Sequence, residues 1–269
     1  MNVLHIHRQP LRSPDGNVNL SSVLPRLPTK GDPALLGEVL AEFATPGETL
    51  VIGVTGSVAA GKTTLSKAVA SSLRSPLHVE VVSTDGFLFP NDVLASRGLS
   101  LRKGYPESYD LGQLSGVLQR SRWGAVRVPA YSHTTYDRAP DLDRTITRPD
   151  ILFVEGLGLS LSAHQRSPAA LLDLLIYVDA NEALLEDWFV KRFLDHWRAA
   201  ETDPKSFYAR FRNMSETEAA AFAQQVWASI NLPNLRGHIA PLKQQADILV
   251  EKSADHALHI SLSAMGLNA

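Results

Sequence analysis

Five short apolar runs lie along the chain, and each has the length and composition of a buried strand. The clearest covers residues 49–54 and ends in Gly-Val, a pattern typical of a strand that is buried on both faces of a parallel sheet. The other strands predicted in this way cover residues 79–82, 151–154, 174–178 and 246–250.

Helical patterns occupy several of the intervals between these runs. The spacing of apolar residues predicts helices over residues 33–43, 62–73, 111–120, 182–200 and 216–230. Strands that alternate with helices favour a three-layer α/β fold, in which helices flank a mostly parallel sheet. Residues 1–32 include a stretch rich in proline, serine and asparagine and are predicted to form a partly irregular arm. Residues 33–269 are predicted to be a single domain.

Composition excludes several classes of protein. The chain has 269 residues, is 44% hydrophobic, contains no cysteine and has a formal net charge of −2. Disulfides and thiolate metal sites are therefore excluded, and the charge gives no sign of a nucleic-acid partner. The first nine residues lack the apolar stretch of a signal peptide, and no apolar run could span a bilayer. We expect a soluble cytoplasmic protein with no membrane partner.

The first predicted strand is followed by a complete phosphate-loop motif, G-x-x-x-x-G-K-[ST]. Its glycines allow a tight turn whose backbone N–H groups point at phosphate oxygens, and the next helix adds its positive dipole end. Lys62 supplies a cation to the β- and γ-phosphates, and the Thr63 hydroxyl is a ligand for Mg²⁺. The position between a strand and a helix argues against a chance match. The predicted ATP-binding residues of this loop are Gly56, Ser57, Val58, Ala59, Ala60, Gly61, Lys62, Thr63 and Thr64.

The rest of the chain distinguishes among the classes of P-loop protein. Guanine-nucleotide switches usually carry an N-K-x-D base-reading motif, which this sequence lacks, and a motor or helicase would need a further coupling domain. A kinase needs an acceptor site, a base near the acceptor hydroxyl, and cations that close over the phosphoryl group. We therefore interpret the chain as a small-molecule kinase with the P-loop NTPase fold, using ATP and Mg²⁺.

Two acids follow predicted strands, and the carboxyl ends of parallel strands face the ligand crevice. Asp85 follows the strand at 79–82. It is placed to accept the acceptor-hydroxyl proton or to hold Mg²⁺ through water, and an ordinary Asp-Gly turn is the alternative. Glu155 follows the strand at 151–154 and is expected on the metal side of the site, with Thr63.

An arginine and an aromatic cluster complete the predicted site. The helix over 182–200 carries Arg192, which suits a helical lid that neutralises phosphoryl charge; a solvated basic face is the simpler explanation for any one arginine. Tyr131, His133 and Tyr136 lie within six residues of one another. Such a cluster indicates a small polar ligand as readily as a structural role.

Together these segments resemble the bacterial type I pantothenate kinases, which are members of the P-loop group that includes uridine kinase and phosphoribulokinase. The resemblance runs in consistent order from about residue 49 to the C-terminus. Beyond the phosphate loop it is carried by TDGFLFPN at 84–91, KGYPESYD at 103–110, YSHTTYD at 131–137, PDILFVEGL at 149–157 and SADH at 253–256.

The resemblance implies ATP-dependent phosphorylation of pantothenate, the first step of coenzyme A biosynthesis. It implies that Asp85 is the catalytic carboxylate and that Lys62 and Arg192 are catalytic cations. Lys103 is expected near the phosphates and His256 beside the adenine. The expected pantothenate-binding residues are Asp85, Tyr131, His133, Tyr136, Phe189 and Asn231. Members of this family are typically homodimers that coenzyme A inhibits.

Four positions depart from the family pattern. Phe189 replaces a substrate-binding tyrosine, and Lys67 replaces an arginine linked to coenzyme A feedback. His196 and Glu201 replace phenylalanines that line the pocket for pantothenate and the coenzyme A tail. These departures predict weaker pantothenate binding and weaker feedback. They leave open another acceptor, such as a sugar, polyol or nucleoside, whereas Asp85 argues against a non-catalytic nucleotide-binding regulator.

Overall fold

The computed structural model describes residues 31–73, 76–159 and 168–262. The arm predicted over residues 1–32 lies almost wholly outside the described residues. The division of the chain into an arm and one domain therefore stays a prediction.

The elements are numbered here in chain order. The strands are β1 (Leu50–Gly56), β2 (Val79–Ser83), β3 (Ala125–Val128), β4 (Tyr131–Ser132), β5 (Asp137–Arg138), β6 (Arg144–Thr147), β7 (Ile151–Glu155), β8 (Leu174–Asp179), β9 (Ile248–Lys252) and β10 (Leu258–Leu262). The α-helices are α1 (Pro33–Ala41), α2 (Lys62–Ser72), α3 (Asn91–Ser96), α4 (Leu111–Ser121), α5 (Glu182–Ala199), α6 (Glu216–Val226) and α7 (Leu232–Asn234).

A six-stranded sheet is central to the described structure, with the strand order β10-β9-β8-β1-β7-β2. Pairing is parallel from β2 to β9, and β10 runs antiparallel to β9. In register, Leu50 pairs with Ile151 and Ile52 pairs with Leu174. The predicted three-layer fold with a mostly parallel sheet is confirmed.

The continuous apolar runs are explained by the place of each strand in the sheet. β1 lies between β7 and β8, and every residue of β1 and β7 is buried. A strand covered on both faces has no side that faces water, so its pattern does not alternate. The main hydrophobic core therefore follows the sheet, and a second, smaller cluster around Phe193 joins α5 to α6.

The topology brings the predicted acids and the phosphate loop to one edge of the sheet. β1 leads into the loop at 57–61, β7 ends at Glu155, and β2 leads into a short 3₁₀ turn, Thr84–Phe87, that carries Asp85. Because β1, β2 and β7 are parallel neighbours, their carboxyl ends lie together. This edge is where the candidate site forms.

Several elements were not predicted. Two small antiparallel sheets, β3 with β6 and β4 with β5, stand outside the main sheet, and β10 adds an edge strand to it. The helix predicted over 216–230 was wrong at its end, because α6 stops at Val226 and the chain widens into π-helical turns at Trp227–Asn231 and Leu235–Ile239. No helix among the described residues is long and apolar enough to cross a membrane.

Candidate active site

The phosphate loop has the backbone conformation that its sequence predicts. Gly56 and Gly61 have φ values of 141° and 94°, a region that favours glycine. A side chain at Gly56 would also clash with the Val178 carbonyl of β8. Ala59 adopts a positive φ of 66° without being glycine, a strained conformation of the kind that is common at functional sites.

Lys62 lies at the start of α2 and is only 8% exposed. Its Nζ donates a hydrogen bond of 2.8 Å to the Ser57 carbonyl across the loop. Burial lowers the pKa of Lys62 from 10.5 to about 8, although the Glu155 and Asp85 carboxylates favour the charged form; Arg192 adds to the lowering. The loop therefore holds a desolvated cation that an anionic ligand would stabilise.

Glu155 lies beside this lysine at the end of β7 and is 4% exposed. Burial raises the pKa of Glu155, and Lys62 opposes the rise, as do the Ser83 and Thr63 side chains that lie next to the carboxyl. A carboxylate and a hydroxyl are hard oxygen donors, and Mg²⁺ in kinases takes few protein ligands because phosphates and water supply the others. Thr63 and Glu155 therefore fit an Mg²⁺ ion bound together with a nucleotide.

Two glycines let the Asp85 turn approach this centre closely. Gly156 has a φ of 141°, and a Cβ there would clash with the Thr84 hydroxyl. A Cβ at Gly86 would clash with the Pro129 carbonyl. The half-buried Asp85 consequently lies in the same cavity wall as Lys62 and Glu155, and it influences the pKa values of both.

A cavity of about 260 Å³ opens next to these groups, and we call it the acceptor cavity. It joins the phosphate loop to the aromatic cluster predicted from sequence. The residues that line it are Val58, Ala59, Lys62, Thr63, Asp85, Leu88, Lys103, Gly104, Tyr109, Tyr131, His133, Tyr136, Glu155, Gly156, Leu157, Arg192, His196, Tyr208 and Asn231.

The aromatic side of the acceptor cavity is built by the small β4–β5 hairpin. The Tyr131 ring lies 5.2 Å from His133 and 6.0 Å from Tyr136, both in edge-to-face geometry. Burial raises the pKa of Tyr136 to about 12 and also raises that of Tyr131. Both hydroxyls therefore stay protonated at neutral pH and can donate hydrogen bonds to a polar ligand.

A second cavity of about 200 Å³ adjoins the first, and we call it the aromatic cavity. Phe189, Phe207 and Phe211 line it, and Asn231 lines both cavities. Phe189 packs against Trp227 at 5.9 Å between ring centres and does not line the acceptor cavity. Among the expected pantothenate-binding residues, only Phe189 is separated from the others in this way.

A third cavity of about 490 Å³ lies on the outer side of the phosphate loop, and we call it the nucleotide cavity. Thr63, Thr64 and Arg192 line it together with Trp188, Lys252 and His256. The Trp188 ring lies 4.9 Å from the His256 ring, and the Lys252 Nζ lies 4.4 Å above Trp188. A flat aromatic wall next to a phosphate loop suits a nucleotide base.

Arg192 is the residue that connects the three cavities, because it lines all of them. It is exposed on α5. An arginine at this junction can reach a phosphoryl group between donor and acceptor.

The positions that depart from the family pattern divide into two groups. His196 lines the acceptor cavity and stacks on Tyr208, with 5.0 Å between ring centres. Burial, with help from Arg192 and His133, lowers the pKa of His196. Lys67 and Glu201 are exposed and line none of the three cavities. The expectation that Glu201 belongs to the pocket wall was therefore wrong.

Three lining residues were missed by the sequence reasoning. Trp188 was not singled out because a lone tryptophan in a helix usually belongs to a core. Tyr208 lines the acceptor and aromatic cavities, and Tyr109 lines the acceptor cavity. Tyr109 lies in the segment 103–110 that carried part of the family resemblance, so a signal for it was present.

The parallel sheet, the phosphate loop and the adjoining acceptor cavity define a P-loop kinase of small molecules. A sequence model of the Phosphoribulokinase / Uridine kinase family matches residues 51–195. The chain is 42% identical to a pantothenate kinase of Sodalis glossinidius over 235 residues, covering 82% of this chain and 74% of that protein. It is 46% identical to a pantothenate kinase of Sorangium cellulosum over 217 residues, covering 77% and 70%. The chain belongs to the phosphoribulokinase and uridine kinase family, and within it to the pantothenate kinases.

Solved structures support the fold. A protein of Silicibacter sp. TM1040 that carries the name of a fructose transport system kinase aligns with a TM-score of 0.62 at 24% identity, over 77% of this chain and 93% of that one. A D-glycerate 3-kinase of Cryptococcus neoformans aligns with a TM-score of 0.52 at 12% identity, over 80% and 90%. At these identities the likeness concerns the fold alone.

Proposed function

We propose that this protein transfers the γ-phosphate of ATP to the primary hydroxyl of pantothenate, giving 4′-phosphopantothenate in the first step of coenzyme A biosynthesis. The observation that carries the proposal is the pairing of pantothenate kinase relatives, at 42% and 46% identity, with an acceptor cavity that contains both Asp85 and the phosphate-loop lysine. The acceptor and nucleotide cavities share Lys62, Thr63 and Arg192 in their walls, so a bound donor and a bound acceptor can approach each other there.

Each side chain has a proposed role that follows from its position. Asp85 accepts the proton of the attacking hydroxyl, because it is the half-buried carboxylate of the acceptor cavity that, together with burial, raises the pKa of Tyr131 and Tyr136 on the aromatic side. Lys62 and Arg192 neutralise charge on the phosphoryl group as it moves. Thr63 and Glu155 would hold Mg²⁺, directly or through water, and the ion would neutralise phosphate charge there. His256 and Trp188 take the base.

The acceptor is held by groups that match its chemistry. Pantothenate carries hydroxyl, amide and carboxylate groups, and the Tyr131 and Tyr136 hydroxyls, the His133 ring and the Asn231 amide can hydrogen-bond them. The Asn231 Nδ2 is buried without a protein partner in the described part of the chain. A buried donor of this kind is costly unless a ligand or water satisfies it.

Coenzyme A feedback and a homodimer are proposed from the family resemblance. Feedback is supported by the contiguity of the three cavities, since a nucleotide with a long tail could occupy the nucleotide and aromatic cavities together. Lys67 and Glu201 line none of these cavities. The prediction that coenzyme A inhibits this protein weakly therefore rests on His196, which lines the acceptor cavity. A cytoplasmic location stays an expectation from composition.

A second candidate is a kinase of another small hydroxyl compound. It is favoured by one observation, the polar His196 in the wall of the acceptor cavity, where the family pattern has a phenylalanine. The experiment that separates the two is an acceptor screen with Mg-ATP, in which product masses are read directly. Phosphopantothenate as the dominant product supports the proposal, and turnover of another acceptor without phosphopantothenate contradicts it.

A further inference from the structure

Lys103 stands in the wall shared by the acceptor and aromatic cavities, and its ammonium group is held by two oxygen atoms. Its Nζ donates to the Asn91 Oδ1 at 2.6 Å and to the Tyr136 carbonyl at 2.6 Å. It also lies 4.3 Å from the Tyr136 ring centre and 5.1 Å from that of Tyr131. An ammonium group has three N–H donors, so one is left to meet a ligand in the cavity.

Asn91 is bonded through all of its polar groups. Its backbone N–H donates to Asp137 Oδ1 at 3.1 Å, and its Nδ2 donates to the Tyr136 carbonyl at 3.0 Å. Because the amide nitrogen faces that carbonyl, the amide oxygen is fixed in the direction of Lys103. One side chain thus joins the start of α3 to the Tyr136 turn and to the Lys103 ammonium.

The Tyr136 turn needs such support. Tyr136 has a φ of 53°, a left-handed conformation that a bulky residue keeps only where surrounding contacts hold it. The same carbonyl accepts from both Asn91 and Lys103. Loss of Asn91 would therefore remove one of the two hydrogen bonds that hold the Lys103 ammonium and one of the two that hold the Tyr136 carbonyl.

The charge of the side chain at position 91 matters as much as its shape. Burial lowers the pKa of Lys103 to about 8, while Asp137 and Asp85 favour its charged form. The neutral Asn91 amide accepts a hydrogen bond from the Lys103 ammonium. Because the amide carries no negative charge, it does not weaken the attraction between the ammonium and a phosphate. The other titratable or charged side chains that face these cavities are Lys62, Tyr109, Tyr131, His133, Tyr136, Glu155, Arg192, His196 and Tyr208.

We propose that Asn91 is a positioning residue that aims the Lys103 ammonium at the transferring phosphoryl group while adding no negative charge of its own beside it. The proposal rests on the proposed kinase function. It requires that Asn91 acts through Lys103, which distinguishes it from an asparagine that only stabilises the turn.

A double-mutant cycle tests this requirement. Asn91→Ala is expected to lower kcat about tenfold, in the range seen when a supporting residue around a reactive group is removed, with a smaller change in KM for ATP. In a Lys103→Met background the same substitution is expected to cost less than about twofold, because the group that Asn91 positions is already absent. Ser96→Ala, on the exposed side of α3, is the matched control and is expected to retain wild-type turnover.

The pH profile gives a second readout that a structural role would not move. Asn91→Asp places a carboxylate against the ammonium and raises the pKa of Lys103, so the alkaline limb of kcat/KM for ATP is expected to move up and become shallower, because Lys62 alone still titrates near pH 8. Asn91→Ala removes an acceptor and is expected to move the limb down. A tenfold loss of equal size in both backgrounds, or limbs unmoved in both variants, would overturn the proposal.

Failure of the proposal for Asn91 can be distinguished from failure of the proposed pantothenate kinase activity. If the wild-type enzyme forms no phosphopantothenate, the acceptor assignment fails, and the cycle is then read with the acceptor that the screen identifies. If Asn91→Ala and Asn91→Asp unfold at the same midpoint temperature but move the alkaline limb of kcat/KM in opposite directions, the result supports a positioning role for Asn91. Loss of thermal stability in Asn91→Ala with unchanged kcat would contradict it.

Discussion

Replacing Glu155 with glutamine tests whether this carboxylate sets the charge of the phosphate-loop lysine. Lys62 and Glu155 are 8% and 4% exposed, and Glu155 is the stronger of the two carboxylates that favour the Lys62 ammonium. The pKa of Lys62 nevertheless falls from 10.5 to about 8. At 1.36 kcal/mol for each pKa unit, burial outweighs the carboxylates by about 3 kcal/mol.

Glutamine keeps the size of the side chain and removes its charge. A close opposite charge typically shifts a pKa by about 1–3 units, so we expect the pKa of Lys62 to fall to about 7 or lower in Glu155→Gln. A lysine is neutral above its pKa. The variant would therefore lose its phosphate-binding cation at a lower pH than the wild-type enzyme.

The assay is kcat/KM for ATP as a function of pH, because this parameter reports ionisations of the free enzyme. The wild-type value is expected to decline above about pH 8, where both Lys62 and Lys103 lose their protons. In Glu155→Gln the decline should begin about one pH unit lower. Glu38→Gln, at an exposed position of α1, makes the same charge change as a control. An alkaline limb identical in wild type and Glu155→Gln would refute the reasoning.

Three further predictions concern the acceptor side and the scaffold. Asp85→Asn should reduce kcat by about 10²-fold or more with nearly intact ATP binding, as expected for a lost general base; near-normal turnover would exclude that role. Phe189→Tyr places a hydroxyl in the aromatic cavity and should lower KM for pantothenate by about fivefold, equivalent to about 1 kcal/mol for one hydrogen bond to a substrate that extends from the acceptor cavity into it; an unchanged KM would show that the substrate does not reach this hydroxyl. Asp173→Ala should destabilise the protein by about 2–3 kcal/mol in denaturant titrations. It leaves the Val51 N–H without the carboxylate that accepts from it at 2.7 Å, and it removes the charge partner of Arg122 at 2.9 Å, which keeps the Thr49 and Leu171 carbonyls as acceptors. A loss below about 0.5 kcal/mol would contradict this.

The sequence predicts the parts of the site that depend on local pattern. The phosphate loop follows from a motif whose spacing has a backbone cause, and Asp85 and Glu155 follow from the rule that parallel strands end at the ligand crevice. The structure brings all three to one edge of the sheet. The strand pattern was readable because β1 and β7 are buried on both faces.

The rest depends on contacts between distant parts of the chain. Trp188 meets His256, and Tyr136 meets Phe207 at 4.6 Å between ring centres, across separations that no local pattern reveals. Glu201 was misjudged because its direction depends on how the chain turns after α5, where it is exposed. Asn91 ends the TDGFLFPN segment that carries part of the family resemblance, but its three hydrogen bonds become visible only when the Tyr136 turn is in place.

The central claim is that the acceptor cavity phosphorylates pantothenate with ATP. The most direct measurement is a mass-spectrometric assay of the purified protein with Mg-ATP and pantothenate, in which phosphopantothenate and ADP are quantified together. We predict one phosphopantothenate for each ADP formed, and loss of both products in Lys62→Ala, which removes the fixed cation of the phosphate loop. ADP formed without phosphopantothenate, or no turnover with pantothenate beside efficient phosphorylation of another hydroxyl compound, would contradict the account.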